Sequence, residues 1–119
     1  MRFELERVES DEVYTCRVYK DDSPSYFGIC TLKKNPDGLV EPHAWLTRKR
    51  EIELLYYKEA LPFFWSKGFE LAFTFEKSKF HLYERMLRSV CRLEVIREFT
   101  KKYNEQGIEF CYGRMVKNV

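Results

Sequence analysis

His43 suits proton transfer by type, because an imidazole titrates near neutral pH. It stands two residues before Trp45, so the two side chains share one face of a strand. Two basic clusters, Lys33-Lys34 and Arg48-Lys49-Arg50, fall at adjacent strand ends and could meet phosphate oxygens. The neighbouring Glu51 and Glu53 offer another reading, a solvated surface that pairs its own charges. Lys77, Lys79, Arg85, Arg88 and Arg92 add positive charge around a second helix. Phe63-Phe64-Trp65 follows Pro62, and three successive large rings cannot all face one core. The outward ring, expected to be Phe64 with Trp65 beside it, suits a homodimer or partner interface, where such rings are enriched. The chain has no Gly-x-Ser-x-Gly, no P-loop and no His-Glu-x-x-His.

Composition bounds the rest. At 119 residues the chain is one domain spanning 1–119, since two would each be too small for a useful core. A hydrophobic content of 45% and an aromatic content of 17% support a packed core. The balance of 21 basic against 19 acidic residues intersperses the two signs, so a nucleic-acid partner is not expected. No apolar run approaches the roughly 18 residues of a membrane span. The start, MRFELERVES, alternates and carries acids, unlike a signal peptide. Cys16, Cys30, Cys91 and Cys111 form no Cys-x-x-Cys pair, and with only His43 and His81 there is no zinc spacing, so no metal is expected. Reduced thiols in a cytoplasmic protein follow, with Cys30 and Cys91 buried.

The elements that must position these residues read from their periodicity. Alternation predicts strands around Phe3 to Val8 and from Val13 to Tyr19, then Tyr26 to Leu32 and Val40 to Thr47. Asp21-Asp22-Ser23-Pro24 and Asn35-Pro36-Asp37-Gly38 are turns. Pro42 lacks a ladder donor and marks an edge or a bulge. A helix is expected from Lys49 to Lys67, with Ile52, Leu55, Tyr56, Glu59 and Phe63 near one face. Pro62 should end or kink it near Leu61, and Gly68 is its stop. A fifth strand, Phe69 to Phe75, breaks at Glu76-Lys77-Ser78. A second helix, Lys79 to Arg92, carries Phe80, Tyr83, Met86, Leu87 and Val90 on one face. Two last strands, Glu94 to Lys101 and Ile108 to Val116, are joined by Asn104-Glu105-Gln106-Gly107. The order ββββ-α-β-α-ββ predicts an α+β fold with a mixed, mostly antiparallel sheet of six or seven strands backed by two helices. A right-handed crossover should set strands four and five parallel.

This order, together with Leu82-Tyr83-Glu84-Arg85 on the second helix, resembles the GNAT (Gcn5-related N-acetyltransferase) family over roughly Tyr26 to Val116. The family's asparagine and alanine in that motif fall on Glu76 and Lys79. The resemblance implies a general acid at Tyr83, protonating a departing thiolate. It implies a general base among Glu41, His43 and Glu76. It implies acetyl-CoA phosphates near Arg48, Lys49 and Arg50, on a Gln/Arg-x-x-Gly-x-Gly/Ala loop opening the first helix. Here Arg48 fills the first position, while Glu51 and Glu53 replace the glycines with bulk and negative charge. Those acids suit a helix first turn instead. The family's N-terminal helices are replaced by strand-like sequence from Met1 to Lys20. The chain is also similar to acetyltransferase-like bacteriophage proteins, through Trp45-Leu46-Thr47-Arg48-Lys49 and the helix and aromatic strand that follow. That implies a virion or assembly protein that binds another protein or itself and uses no cofactor. The alternatives are a divergent acetyl-CoA-dependent N-acyltransferase and a small inhibitor that docks a host protein.

Overall fold

The structure is a computed structural model that describes residues 1–8, 13–46 and 50–118, with only the backbone of 45–46 and 50–54. Its elements are β1 (Arg2–Val8), β2 (Val13–Tyr19), β3 (Tyr26–Lys34), β4 (Val40–Leu46), α1 (Arg50–Ser66), β5 (Leu71–Glu76), α2 (Phe80–Leu87), β6 (Cys91–Tyr103) and β7 (Gln106–Lys117). A 3-10 turn, Lys77–Lys79, leads into α2. The seven strands form one sheet in the order β1-β2-β3-β4-β5-β7-β6. Only β4 and β5 run parallel, joined by the α1 crossover; every other neighbour is antiparallel. The fold is therefore α+β with two helices, as the element order predicts. Among the described residues no helix is long and apolar enough to cross a membrane.

Both helices pack on the same face of the sheet. Cys16 and Val18 of β2, Cys30 and Leu32 of β3, Val40, Leu71 and Met115 meet Tyr56, Ala60, Leu61 and Phe64 of α1 and Leu87 of α2 in one cluster. The opposite face carries a small buried cluster of Leu39, Ala72 and Tyr112, with Phe99 against it. The turn between β3 and β4 is docked onto that face. Asn35 Oδ1 accepts from the Asp37 and Leu39 amides, while its Nδ2 donates to the Tyr112 hydroxyl. Gly38 in that turn, at φ 82°, and Gly68 after α1, at φ 87°, take the left-handed conformation that suits glycine. All four cysteines are free and buried, Cys30 and Cys91 included.

Several expectations need correction. Pro62 neither ends nor stops α1, which runs on to Ser66. The continuing helix puts residue 64 in line with 60 and 56, so Phe64 is fully buried and is not an interface residue. Phe63 instead stacks on Phe3 at 5.2 Å, and Trp65 is half-buried against the same core. Leu55, expected on the apolar face, is exposed, because the buried stripe passes through Tyr56, Ala60 and Leu61. Helix α2 stops at Leu87, short of Arg92, and Cys91 already pairs with Lys117 in the final hairpin. The hairpin turn is the two residues Asn104 and Glu105, both at positive φ, so Gly107 lies inside β7 opposite Lys102.

Phe64→Ala should cost about 3–5 kcal/mol in urea unfolding, the loss expected for a buried aromatic ring. A surface ring would change stability by no more than about 0.5 kcal/mol.

Candidate functional site

The site begins with a missing hydrogen atom. The Val40 amide donates to the Glu70 carbonyl at 2.7 Å, starting a parallel ladder toward β5. Amides two residues apart along a strand point the same way, so the next donor toward β5 belongs to residue 42. That residue is Pro42, which has none. The ladder accordingly holds the single pair Val40↔Leu71, and the strands diverge beyond it. Pro42 therefore marks neither a sheet edge nor a bulge, but the point where two interior strands part.

A cavity of about 240 Å³ lies in the opening. Pro42 and Ala44 form its β4 wall, Phe73 and Met115 the opposite wall, and Tyr56, Leu61 and Leu87 close it from the helices. Among the described residues no acid, lysine or arginine lines it. On the helix-free face the gap is stitched by side chains. The Thr74 hydroxyl donates to Glu41 Oε1 at 2.9 Å, and Asn35 Nδ2 donates to Glu41 Oε2 at 3.3 Å. Glu41 therefore spends both oxygens holding β4, β5 and the preceding turn together.

The sequence-derived candidates fall on different sides of this opening. His43 borders the cavity but pairs with Thr31 on β3, in phase with Glu41, which places it on the helix-free face. Tyr83 sits on α2, across the sheet from it. Its ring meets Phe73 edge-on at 4.9 Å and Phe75 at 5.7 Å, so Phe73 stands between Tyr83 and the cavity. Glu76 ends β5 opposite Phe110, in phase with Ala72 and Thr74 on the helix-free face, and makes no side-chain cap to the turn it opens. Arg48 and Lys49 lie outside the described residues; Arg50 opens α1, so the acids at 51 and 53 occupy its first turn. Trp65 borders a separate open groove with Lys58, Pro62, Val90 and Lys117.

Sequence reasoning placed Tyr56 only on an apolar helix face and missed that its hydroxyl is buried against the Cys30 thiol. A hydroxyl in line with Ala60 and Phe64, under a strand that carries a proline, is the signal that could have found it. Burial pushes the Tyr56 phenol well above its ordinary value, with the Cys30 thiol reinforcing the shift. The Cys30 thiol is itself raised to about 11 by burial, against the pull of the Tyr56 hydroxyl and the His43 amide. Cys16, paired with Cys30 across β2 and β3, is raised to about 12 by burial and then by Cys30.

No family model and no curated protein matches the sequence. A solved structure described as a "putative phosphinothricin N-acetyltransferase" superposes on this chain with a TM-score of 0.60. The two are 12% identical, and the match covers 94% of this chain and 75% of that one. The fold is GNAT-like.

Two predictions follow from the environments of Tyr83 and the thiols. Tyr83→Phe should leave stability within about 0.5 kcal/mol of wild type, because the ring contacts survive, whereas Tyr83→Ala should lose about 1–3 kcal/mol in denaturant titration. For the thiols, the unfolded chain gives up protons above the ordinary value of 9.0, while folded Cys16 and Cys30 keep theirs until about 12 and 11. The unfolded state then binds fewer protons, so unfolding free energy should fall as pH rises from 9.0 through that window. Replacing both residues with Ser in denaturant titrations across that range should flatten the decline.

Proposed function

We propose that this chain is a GNAT-like protein that binds a protein partner or a second copy of itself and does not use acetyl-CoA. The observation that carries this reading is the position of Glu51 and Glu53. Helix α1 begins at Arg50, so both acids fall where a pyrophosphate would have to approach the free amides of the first turn. Two carboxylates there favour the helix dipole and repel a phosphate. The placement of the acid–base candidates supports the same reading. His43 and Glu76 are on one face of the sheet and Tyr83 on the other, behind Phe73. Trp65, at its groove with Lys58 and Lys117, is the aromatic residue offered for contact. The resemblance to acetyltransferase-like bacteriophage proteins makes virion assembly the setting for that contact, and the cytoplasm its place.

The second reading, an N-acyltransferase with a divergent loop, is favoured by one observation: β4 and β5 part beside an apolar cavity, with Arg50 at the start of the following helix. Thermal unfolding in millimolar acetyl-CoA separates the two. A ligand present at about 100 times its dissociation constant adds about 2.7 kcal/mol of stability. We expect no shift in Tm with acetyl-CoA or CoA. A saturable rise would reverse the order of the readings.

A further inference from the structure

The groove beside Trp65, of about 460 Å³, shares none of its described residues with the cavity between β4 and β5. Its apolar lining is Pro62 and Trp65 of α1 and Val90 of the segment after α2. Its polar lining includes Lys58 of α1 and Lys117 at the end of β7. The walls are pinned by backbone. The Asn118 amide donates to the Val90 carbonyl at 3.2 Å, and its Nδ2 donates to the Arg88 carbonyl at 3.0 Å. The Val90 amide donates in turn to the carbonyl of buried Leu87 at 2.8 Å, which ties this wall to α2. Pro62 adds an acceptor. It has no amide to give the Lys58 carbonyl, so one backbone oxygen of α1 loses its helical donor. Charge identifies the occupant. Among the described residues two ammonium groups and no acid line the groove. Glu59, the acid next to Lys58, faces the Met1 ammonium at 3.2 Å. A half-buried indole with two cations beside it suits a partner that brings carboxylates together with an apolar side chain. It does not suit a membrane surface, which takes rings projecting from an apolar face, because Trp65 keeps part of its ring against the core.

We propose that this groove docks an acidic peptide segment of a partner protein, with an apolar side chain on Trp65, Pro62 and Val90 and carboxylates on Lys58 and Lys117. The proposal rests on the protein-binding reading given above and adds the partner's chemistry. An extended segment also brings backbone N–H groups, one of which can serve the Lys58 carbonyl. Exposed ion pairs contribute little each, so the apolar contact supplies affinity while the two lysines select the partner. The test uses neither acetyl-CoA nor CoA.

The probes are three blocked hexapeptides with Leu-Phe at the centre, flanked on each side by two Asp, two Asn or two Lys residues. Binding is read in the intact protein from the indole N–H resonance of Trp65, assigned by its loss in Trp65→Phe. The Asp peptide should shift it saturably, the Asn peptide should bind about fivefold more weakly, and the Lys peptide should not bind. Salt at about 0.5 M should remove most of the preference for Asp over Asn. Lys58→Glu combined with Lys117→Glu should reverse the order, so that the Lys peptide binds best, and should leave Tm unchanged because both sites are exposed. Lys102→Glu, on the β6–β7 hairpin, should keep the wild-type order. The proposal is overturned if the Asp peptide gives no saturable shift, or if wild type binds the Asp and Asn peptides equally at low salt. It is also overturned if the preference for Asp survives the double reversal. A response to phosphatidylserine vesicles or to oligothymidylate, with none to the Asp peptide, would overturn it by assigning the groove to a membrane or a nucleic acid. Each of these failures removes the groove as the contact, whereas failure of the protein-binding reading shows separately, as a Tm rise with acetyl-CoA.

Discussion

The absent amide proton of Pro42 sets the shape of this domain. A parallel ladder between β4 and β5 would continue from Val40 through residue 42, and proline ends it there. The loss of one ladder bond costs about 0.5–1.5 kcal/mol, an amount that other contacts can offset. They do so on both faces. Glu41 joins Thr74 and Asn35 on one side, and the side-chain cluster beneath α1 spans the gap on the other. The sheet thus stays one sheet while its middle is open.

The placement of the helices follows from that opening. A right-handed crossover from β4 to β5 carries α1 over the face where Cys30, Leu32 and Val40 lie. Helix α2, leaving β5 through the 3-10 turn, lands on the same face and brings Leu87 to the core. Beneath the two helices, the short side chains of Pro42 and Ala44 do not fill the space between the diverging strands. The cavity is what remains. Among the described residues the other face carries no helix, and the N-terminal strands β1 and β2 extend the sheet. It is held instead by polar contacts, with Asn35 at their centre and Arg97 bonded to Asp37 at 3.2 Å while stacking over Tyr112.

Much of this fold was legible because its signals are local. Alternation marks β2 and β3, Asn35-Pro36-Asp37-Gly38 marks the turn, and Gly68 marks the end of α1. The failures come where a tertiary gain outweighs a local penalty. A proline inside a helix costs about 3 kcal/mol. Continuing α1 past Pro62 buries Phe64 completely and Phe63 and Trp65 in part, and one fully buried aromatic ring returns about 1.5–3 kcal/mol by itself. Three rings outweigh one proline, so the helix continues and Phe64 turns inward. The end of α2 was hidden for a similar reason. Leu87 and Val90 fit a helical period, yet Cys91 pairs in the long β6–β7 hairpin, and a ladder of that length outweighs one more helical turn.

The candidate site was legible residue by residue but not as an arrangement. Sequence places His43 on a strand and Tyr83 on a helix, and both placements hold. Whether they meet depends on the parity of His43 relative to Val40 and on which face both helices choose, and neither is encoded near either residue. Tyr56 shows the converse. Its own neighbourhood of sequence reads as one more apolar position. It comes to line the cavity only because Pro42, fourteen positions earlier, withholds a proton from β5 and leaves an opening between the strands. A hydroxyl there would be costly in a closed core. Its partner there is the Cys30 thiol of β3, a contact supplied by a strand and not by the helix that carries the ring.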